Sequence, residues 1–489
     1  MIITVNDTQN SANLLYYQSL ALLFLPCEKF TLNDTENKMN VDAFSKDGKF
    51  FVTVSLDISG KTAVSGQIEN IMPSKTRQMK NLIGRNVLSA FEKIFDRKPP
   101  WGISTGVKPV KLAREFILKD GEQSALETLC RDYAFDERKA KLCIEANRRE
   151  TEALKNVPDN SCSVYISVPF CPSRCDYCSF VSCTTPRLLA LIPDYIVRLK
   201  QDIADIADTV RQNGLEVRSV YVGGGTPAIL EHGQINDVLD CFFKNFSDTD
   251  IKEFTFEAGR PDCITKPKLE VLKSYGIGRI SVNAQTTNDA VLRYVGRNHT
   301  AKQFFDAFRL ARETGFDCIN TDLIAGLPSD SLESFKNSVD NITALEPENI
   351  TVHAFTLKKS SKFRTEGNTD ITSSFSQAEK MLDYAADKLG TNGYSPYYVY
   401  RQKNTVGDLD NTGYAKPGFE SIYNIVMMGE KHTVFAAGAG AVTKLVPNAA
   451  TGGKIERIFA PKYPYEYLDR QKYKGFDKQS VTQFYSNKK

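Results

Sequence analysis

The chain has 489 residues, 41% hydrophobic and 25% charged, with a net charge of +3, which is long enough for two or three domains and excludes a disordered or membrane-embedded chain. So small a net charge gives no argument for nucleic acid as partner. Eleven cysteines in so long a chain do not make a disulfide scaffold and suit a reducing, cytoplasmic setting.

Leu14–Pro26 is apolar and lies near the amino terminus, but it has no positive leader and no small-residue cleavage site, and it is too short to span a bilayer. It is expected to be a buried helix. Asp47-Gly48 and Ser59-Gly60 punctuate alternating segments and predict an antiparallel meander. Helix periodicity follows over Lys75–Phe95 and again over Asp136–Thr151. Between these helices, PPWGISTGVKPVKLA carries the single tryptophan, Trp101, and two glycine turns. Residues 1–155 therefore read as an α+β accessory domain.

From Ser163 the pattern becomes strand, loop, helix, repeated. SVYISVPF, VRSVYV, EFTFEA, RISVNAQ, CINTDLIAG and NITVHAF are the six strands, with helices over Ile192–Gln212, Gln234–Phe246, Ala301–Thr314 and Leu332–Leu345. Such alternation implies parallel βαβ units and an α/β class, with ligands gathered at the carboxyl ends of the strands. The distinctive residues fall there. The loop CPSRCDYC follows strand one, Gly223-Gly224-Gly225-Thr226-Pro227 ends strand two, and Glu257 and Gln285 end strands three and four. Asp322 lies in strand five and His353 near the end of strand six.

Cys171, Cys175 and Cys178 are the strongest chemical signal in the chain. Three thiolates at spacings of four and three suit an iron–sulfur cluster and leave one iron of a four-iron cluster without a protein ligand. The other readings are small buried hydrophobes or half of a zinc site, although zinc usually takes paired C-x₂-C elements. GGGTP alone could be a tight turn, and Glu257 alone a solvated carboxylate.

The string YISVPFCPSRCDYCSF, with these later motifs in order, resembles the radical S-adenosylmethionine (SAM) enzymes. Within them it resembles the oxygen-independent coproporphyrinogen III oxidase family, and the segment PYYVYRQKN together with the added amino-terminal domain looks like its HemZ-type coproporphyrinogen dehydrogenase subgroup. The resemblance implies a partial (β/α)6 TIM-type barrel over residues 156–365 and a substrate-covering α+β extension over 366–489. It also implies a [4Fe-4S] cluster on Cys171, Cys175 and Cys178, with SAM chelating the open iron and cleaved there to a 5′-deoxyadenosyl radical. Tyr165, Tyr177, Gly224, Gly225, Thr226 and Glu257 match SAM contacts, and Gln285, Arg297 and Asp322 match contacts to a second SAM, so one or two are expected. The implied reaction is oxidative decarboxylation of coproporphyrinogen III to protoporphyrinogen IX in haem biosynthesis. No protein residue is assigned as catalytic. A low-potential donor such as flavodoxin or ferredoxin is the implied partner, with no nucleic acid and no membrane.

The chain departs from the family in two places. Ser167 stands where the family has His in Tyr-x-His-x-Pro-Phe-Cys, and Ser179 where Gly often follows the third cysteine. Other tetrapyrrole-directed radical SAM reactions, methyl transfer or ring opening, stay open, as does haem chaperoning. Chaperone relatives carry His-Asn-x-x-Tyr-Trp where this chain reads YNIVMM, Tyr423–Met428. Five tyrosines over 394–414, with Arg401 and Lys403, suggest an aromatic strand pair covering the open side of the barrel, and Lys462 onward reads as a polar tail.

Overall fold

In the computed structural model, residues 1–7, 12–25, 37–72, 74–178, 180–356, 375–401, 409–447 and 453–486 are described. Cys27, Ser179 and Lys403 lie outside them. Compactness divides the chain into two units, Met1–Asn147 with Val399–Asp410, and Arg148–Tyr398 with Asn411–Lys489. The sequence boundaries at 155 and 365 are drawn differently. Of the expected extension over 366–489, Val399–Asp410 falls in the first unit and the other described residues in the same unit as the barrel strands.

In the first unit the strands are β1 (Ile2–Asp7), β2 (Asn37–Lys46), β3 (Lys49–Ile58) and β4 (Lys61–Glu69). The meander β2–β3–β4 is antiparallel, as its turn residues require. Asp47, Gly48, Ser59 and Gly60 all adopt positive φ, the conformation that a two-residue hairpin matching the strand twist needs. β1, which the sequence reading does not identify, adds in parallel to β2. The helix Thr76–Phe95 buries Leu82, Val87, Phe91 and their neighbours against this sheet. A further helix, Pro109–Asp132, begins inside the stretch read as turns. Proline is tolerated at its first position, and Gly121 breaks its helical geometry. Trp101 is fully buried, edge-on to Phe135 at 5.4 Å.

The second unit carries the parallel array β5 (Ser161–Val168), β6 (Glu216–Gly224), β7 (Glu253–Gly259), β8 (Arg279–Val282), β9 (Cys318–Ala325) and β10 (Asn349–Ala354). The six pair in sequence order. They come from the six segments read as strands. The later strands are β11 (Ser395–Arg401), β12 (Asp410–Ala415), β13 (Thr433–Ala437), β14 (Val442–Leu445) and β15 (Glu456–Phe459). The sheet order is β11-β12-β10-β9-β8-β7-β6-β5-β13-β14-β15, so β5 and β10 do not meet and the array is an open, partial barrel.

The carboxyl-terminal residues thus extend the sheet at both edges. Tyr394, Tyr397, Tyr398 and Tyr414 are buried within this packing, as expected of an aromatic strand pair. The presumed polar tail is folded too. Its helix Pro464–Leu468 buries Tyr467, whose hydroxyl donates to the buried Asp202 at 2.6 Å, and Tyr473 donates to the same oxygen at 2.9 Å. A buried carboxylate is tolerable only with such donors. Its position inside the chain, among lysines and tyrosines, hid this from a reading by composition. Among the described residues no helix is long and apolar enough to cross a membrane.

Candidate functional site

Side chains alternate across a strand, so residues two apart share a face. Tyr165 pairs with Tyr221 and Tyr221 with Thr255, while Asp322 pairs with Thr351 and Ile324 with His353. Contacts between side chains then gather Tyr221, Glu257, Asp322 and His353 toward the carboxyl ends of the parallel strands, where parallel sheets build their sites.

The thiol loop leaves β5 and is tied down on several sides. Cys171 donates its amide to the Cys183 carbonyl at 3.1 Å, and Cys183 donates to the Pro169 carbonyl at 2.9 Å. The Asp176 amide reaches the Val295 carbonyl at 3.0 Å. Gly225 and Thr226 donate their amides to Val168 and Phe170 at 2.8 Å each, and the Thr226 hydroxyl lies 3.4 Å from Cys171 Sγ. A Cβ on Gly225 would stand 2.9 Å from that sulfur and 2.6 Å from the Phe170 carbonyl, which explains glycine at that position. Cys171 and Cys175 are buried, Cys178 is half-buried, and all three are free thiols.

Arg297 sits beneath this loop. It donates to the Asn283 carbonyl at 2.9 Å, the Gly259 carbonyl at 3.3 Å and the Tyr177 hydroxyl at 3.2 Å, with Nη1 4.0 Å from Cys175 Sγ. These bonds tie Arg297 and Tyr177 to the thiol loop and its supports. Arg260, which the sequence reading passed over, does similar work by donating to Ser173 Oγ at 2.8 Å while paired with Asp262 at 2.6 Å.

Across the barrel interior Tyr165, Tyr221 and Tyr423 stack, with centroids 4.5 Å apart for Tyr221 and Tyr423 and 6.2 Å for Tyr165 and Tyr221. Tyr423 arrives from a distant segment because Glu253 receives the Ser421 hydroxyl at 2.9 Å and the Ile422 amide at 2.7 Å, fixing the start of the helix Ile422–Gly429. No local sequence signal could have placed it.

The two carboxyl groups of the site are driven apart. Burial pushes Glu257 up to about 7, and the Asp322 charge adds to this, although the Tyr221 hydroxyl and the Gly224 amide donate to it. Burial acts on Asp322 in the same sense, but His353, Asn320 and Thr351 outweigh it and hold Asp322 below the ordinary carboxylate range. Gln285 does not end β8, as the sequence suggests. It lies three residues beyond it, at φ 67°, its backbone bonded to Asp322 and Ile324 of β9 and its buried Oε1 without a partner.

Glu257 gives a direct test. Its carboxyl is protonated more readily folded than unfolded, so its contribution to stability is complete below about pH 4.5 and is lost as pH rises through about 7. Glu257→Gln is therefore expected to melt several degrees above wild type at pH 8, an effect of roughly 2 to 3 kcal/mol, and level with it at pH 4.5. Thermal melts at both values decide it, and equal melting at pH 8 would remove the assignment.

The radical SAM superfamily model matches residues 165–342, the span holding the thiol loop, GGGTP, Glu257 and Asp322. The oxygen-independent coproporphyrinogen-III oxidase-like protein HemZ of Bacillus subtilis is 33% identical over 431 residues, covering 86% of this chain and 85% of that protein. The chain belongs to the radical SAM superfamily, among the oxygen-independent coproporphyrinogen-III oxidase-like proteins. It is also 29% identical over 312 residues to the heme chaperone HemW of Bacillus subtilis, covering 62% of this chain and 77% of that one. The solved structure of HemN, coproporphyrinogen III oxidase from Escherichia coli, covers 65% of this chain and 71% of its own at 22% identity, with a TM-score of 0.51, a likeness of fold.

Radical SAM enzymes use a [4Fe-4S] cluster and SAM, and this chain is an enzyme of that superfamily. The residues fit such a cluster, with three free thiols on one loop and a glycine keeping the space beside Cys171 clear. Among the described residues no three His, Cys, Asp or Glu side chains converge as a single metal ion would need. A cluster spreads its thiolates over separate irons, so it asks for a wider arrangement.

Proposed function

We propose that this enzyme decarboxylates propionate side chains of a tetrapyrrole oxidatively, converting coproporphyrinogen III to protoporphyrinogen IX. The observation that carries the reading is the 33% identity spanning 85% of the HemZ protein. In this reading Cys171, Cys175 and Cys178 hold the cluster. Tyr165, Gly224, Gly225, Thr226 and Glu257 surround SAM, and Gln285 and Asp322 serve a second SAM or the far side of the first. When bound, cluster and SAM supply one-electron cleavage and hydrogen abstraction.

The chain's own contribution is placement. Arg297, Arg260 and Thr226 fix the thiol loop, and the tyrosine column fills the barrel interior and keeps water from it. Glu257, pushed up to about 7 and so about half protonated near neutral pH, can donate a hydrogen bond in its protonated form, whereas the ionised Asp322 only accepts. A low-potential flavodoxin or ferredoxin would deliver the electron that cleaves SAM, in the cytoplasm, and an electron acceptor would take the electron left when CO₂ leaves each substrate radical.

The heme chaperone relatives favour a second reading, haem carriage without turnover. Against it, Tyr423, which opens the segment where those relatives carry their signature, is buried in the tyrosine stack. Anaerobic reconstitution followed by mass spectrometry of coproporphyrinogen and SAM separates the readings. Vinyl product, CO₂ and 5′-deoxyadenosine are expected. Methylated tetrapyrrole with S-adenosylhomocysteine would indicate methyl transfer, and stoichiometric haem binding with substrate unchanged would indicate carriage.

A further inference from the structure

Of the four histidines, His353 has a place that the assignments above leave unused. It lies near the carboxyl end of β10 and keeps 28% of its side chain exposed, whereas His299 and His432 are buried. Its Nδ1 is 3.2 Å from Asn411 Oδ1. That same oxygen accepts the Ala354 amide at 3.1 Å, which identifies it as an oxygen and makes Nδ1 the donor. Nε2 is therefore the working atom of the ring. It faces Asp322 Oδ2 at 3.9 Å, too far for a hydrogen bond between them. Two acceptors 3.9 Å apart can each lie about 2.9 Å from one donor atom placed between them.

A second buried polar atom without a partner lies on the segment bonded to β9 beside Asp322. Gln285, bonded through its backbone to Asp322 and Ile324, is 93% buried, takes a positive φ and leaves Oε1 without a partner. Buried polar atoms and strained backbone of this kind are costly unless something else uses them. Position 167, where the resembled family has histidine, offers no imidazole here. Ser167 is buried and donates to the Ala439 carbonyl at 2.8 Å.

We propose that His353 is a positioning residue for the ligand held at Asp322. Nε2 and Oδ2 form one acceptor pair for a cationic or strongly donating group, and filling that pair excludes a proton from the imidazole. The inference rests on the reading that Asp322 contacts SAM, which carries a cationic sulfonium and, on a molecule not chelated to iron, a donating ammonium group. Binding is then coupled to proton release. A protonated imidazole neutralises Asp322 and repels the cation, so affinity falls as pH falls. The other groups bearing on His353 are Glu257 from β7, which burial pushes up to about 7, and the neutral Asn411 from β12. For that reason the difference between wild type and variant carries the information, rather than the wild-type pH profile alone.

The test is calorimetric titration of SAM into anaerobically reconstituted, unreduced protein, from pH 5.5 to 8.5, in pairs of buffers that differ in ionisation heat. Wild type is expected to release more protons per SAM bound than His353→Gln. Its Kd should rise about tenfold more than that of the variant between pH 8 and pH 5.5. Asp322→Asn, which keeps the imidazole, should lose the same coupling. Equal proton release in wild type and His353→Gln overturns the inference and leaves the SAM reading intact. Failure of wild type to bind SAM overturns both.

Discussion

Cys175→Ala is expected to abolish the absorption and the electron paramagnetic resonance signal of the reconstituted cluster, and to reduce 5′-deoxyadenosine formation to background. Cys162→Ala and Cys183→Ala should keep both. The difference is structural. Cys171, Cys175 and Cys178 lie on one loop that is held from outside by Arg260, Thr226, Arg297 and the Val295 carbonyl, so their sulfurs share a fixed frame. Cys183 belongs to the same frame, but through its backbone, which bridges Pro169 and Cys171 and survives truncation of the side chain. Cys162 is buried within β5, a small hydrophobe among others. Three thiolates are the minimum for a cluster with one open iron, so losing one removes the site rather than weakening it. Iron and sulfide counts per chain, taken with the product assay, provide the check. A Cys175→Ala protein with full iron content and normal SAM cleavage would disprove the assignment.

That loop was legible because its chemistry is local. Soft ligands at short spacing need no tertiary information, and neither does the rhythm of short strands and helices that placed six parallel strands correctly. Hairpin turns at Asp47-Gly48 and Ser59-Gly60 were equally plain, since only a few residues accept positive φ. What failed to show was whatever depends on a distant partner. Tyr423 reaches the barrel interior because Glu253, some 170 residues earlier, caps its helix. Asp202 looks like a surface residue of an amphipathic helix until Tyr467 and Tyr473 cover it. Arg297 was read as a contact to a second SAM, and its bonds to Tyr177 and to the Asn283 and Gly259 carbonyls, which hold it against the thiol loop, depend on partners distant in the chain. The helix Pro109–Asp132 was missed because prolines and glycines before it are stronger local signals than its own weak amphipathicity.

Gly225→Ala should disable the thiol loop through a single added methyl. The glycine does not need a left-handed backbone, so the cost is one of space. The added Cβ would meet the Phe170 carbonyl oxygen at 2.6 Å, Cys171 Sγ at 2.9 Å and the Phe170 amide nitrogen at 3.0 Å. Two of these neighbours are backbone atoms. Withdrawing them would strain the bonds from Gly225 to Val168 and from Thr226 to Phe170, both 2.8 Å, which join the glycine segment to the strand feeding the thiol loop. Overpacking of this kind costs roughly 1 to 3 kcal/mol, and here it also displaces the first of the three sulfurs. Reconstituted Gly225→Ala protein is expected to hold less than about a tenth of the wild-type iron, a loss of at least one decade or about 1.4 kcal/mol in cluster affinity. Gly233→Ala is the matched control. It lies in the helix His232–Asn245, with nothing within 4 Å of its Cβ position, and should be neutral or slightly stabilising. If Gly225→Ala melts and binds iron like the control, the glycine segment does not support the thiol loop, and the order of contacts that builds the site from β6 toward Cys171 is wrong.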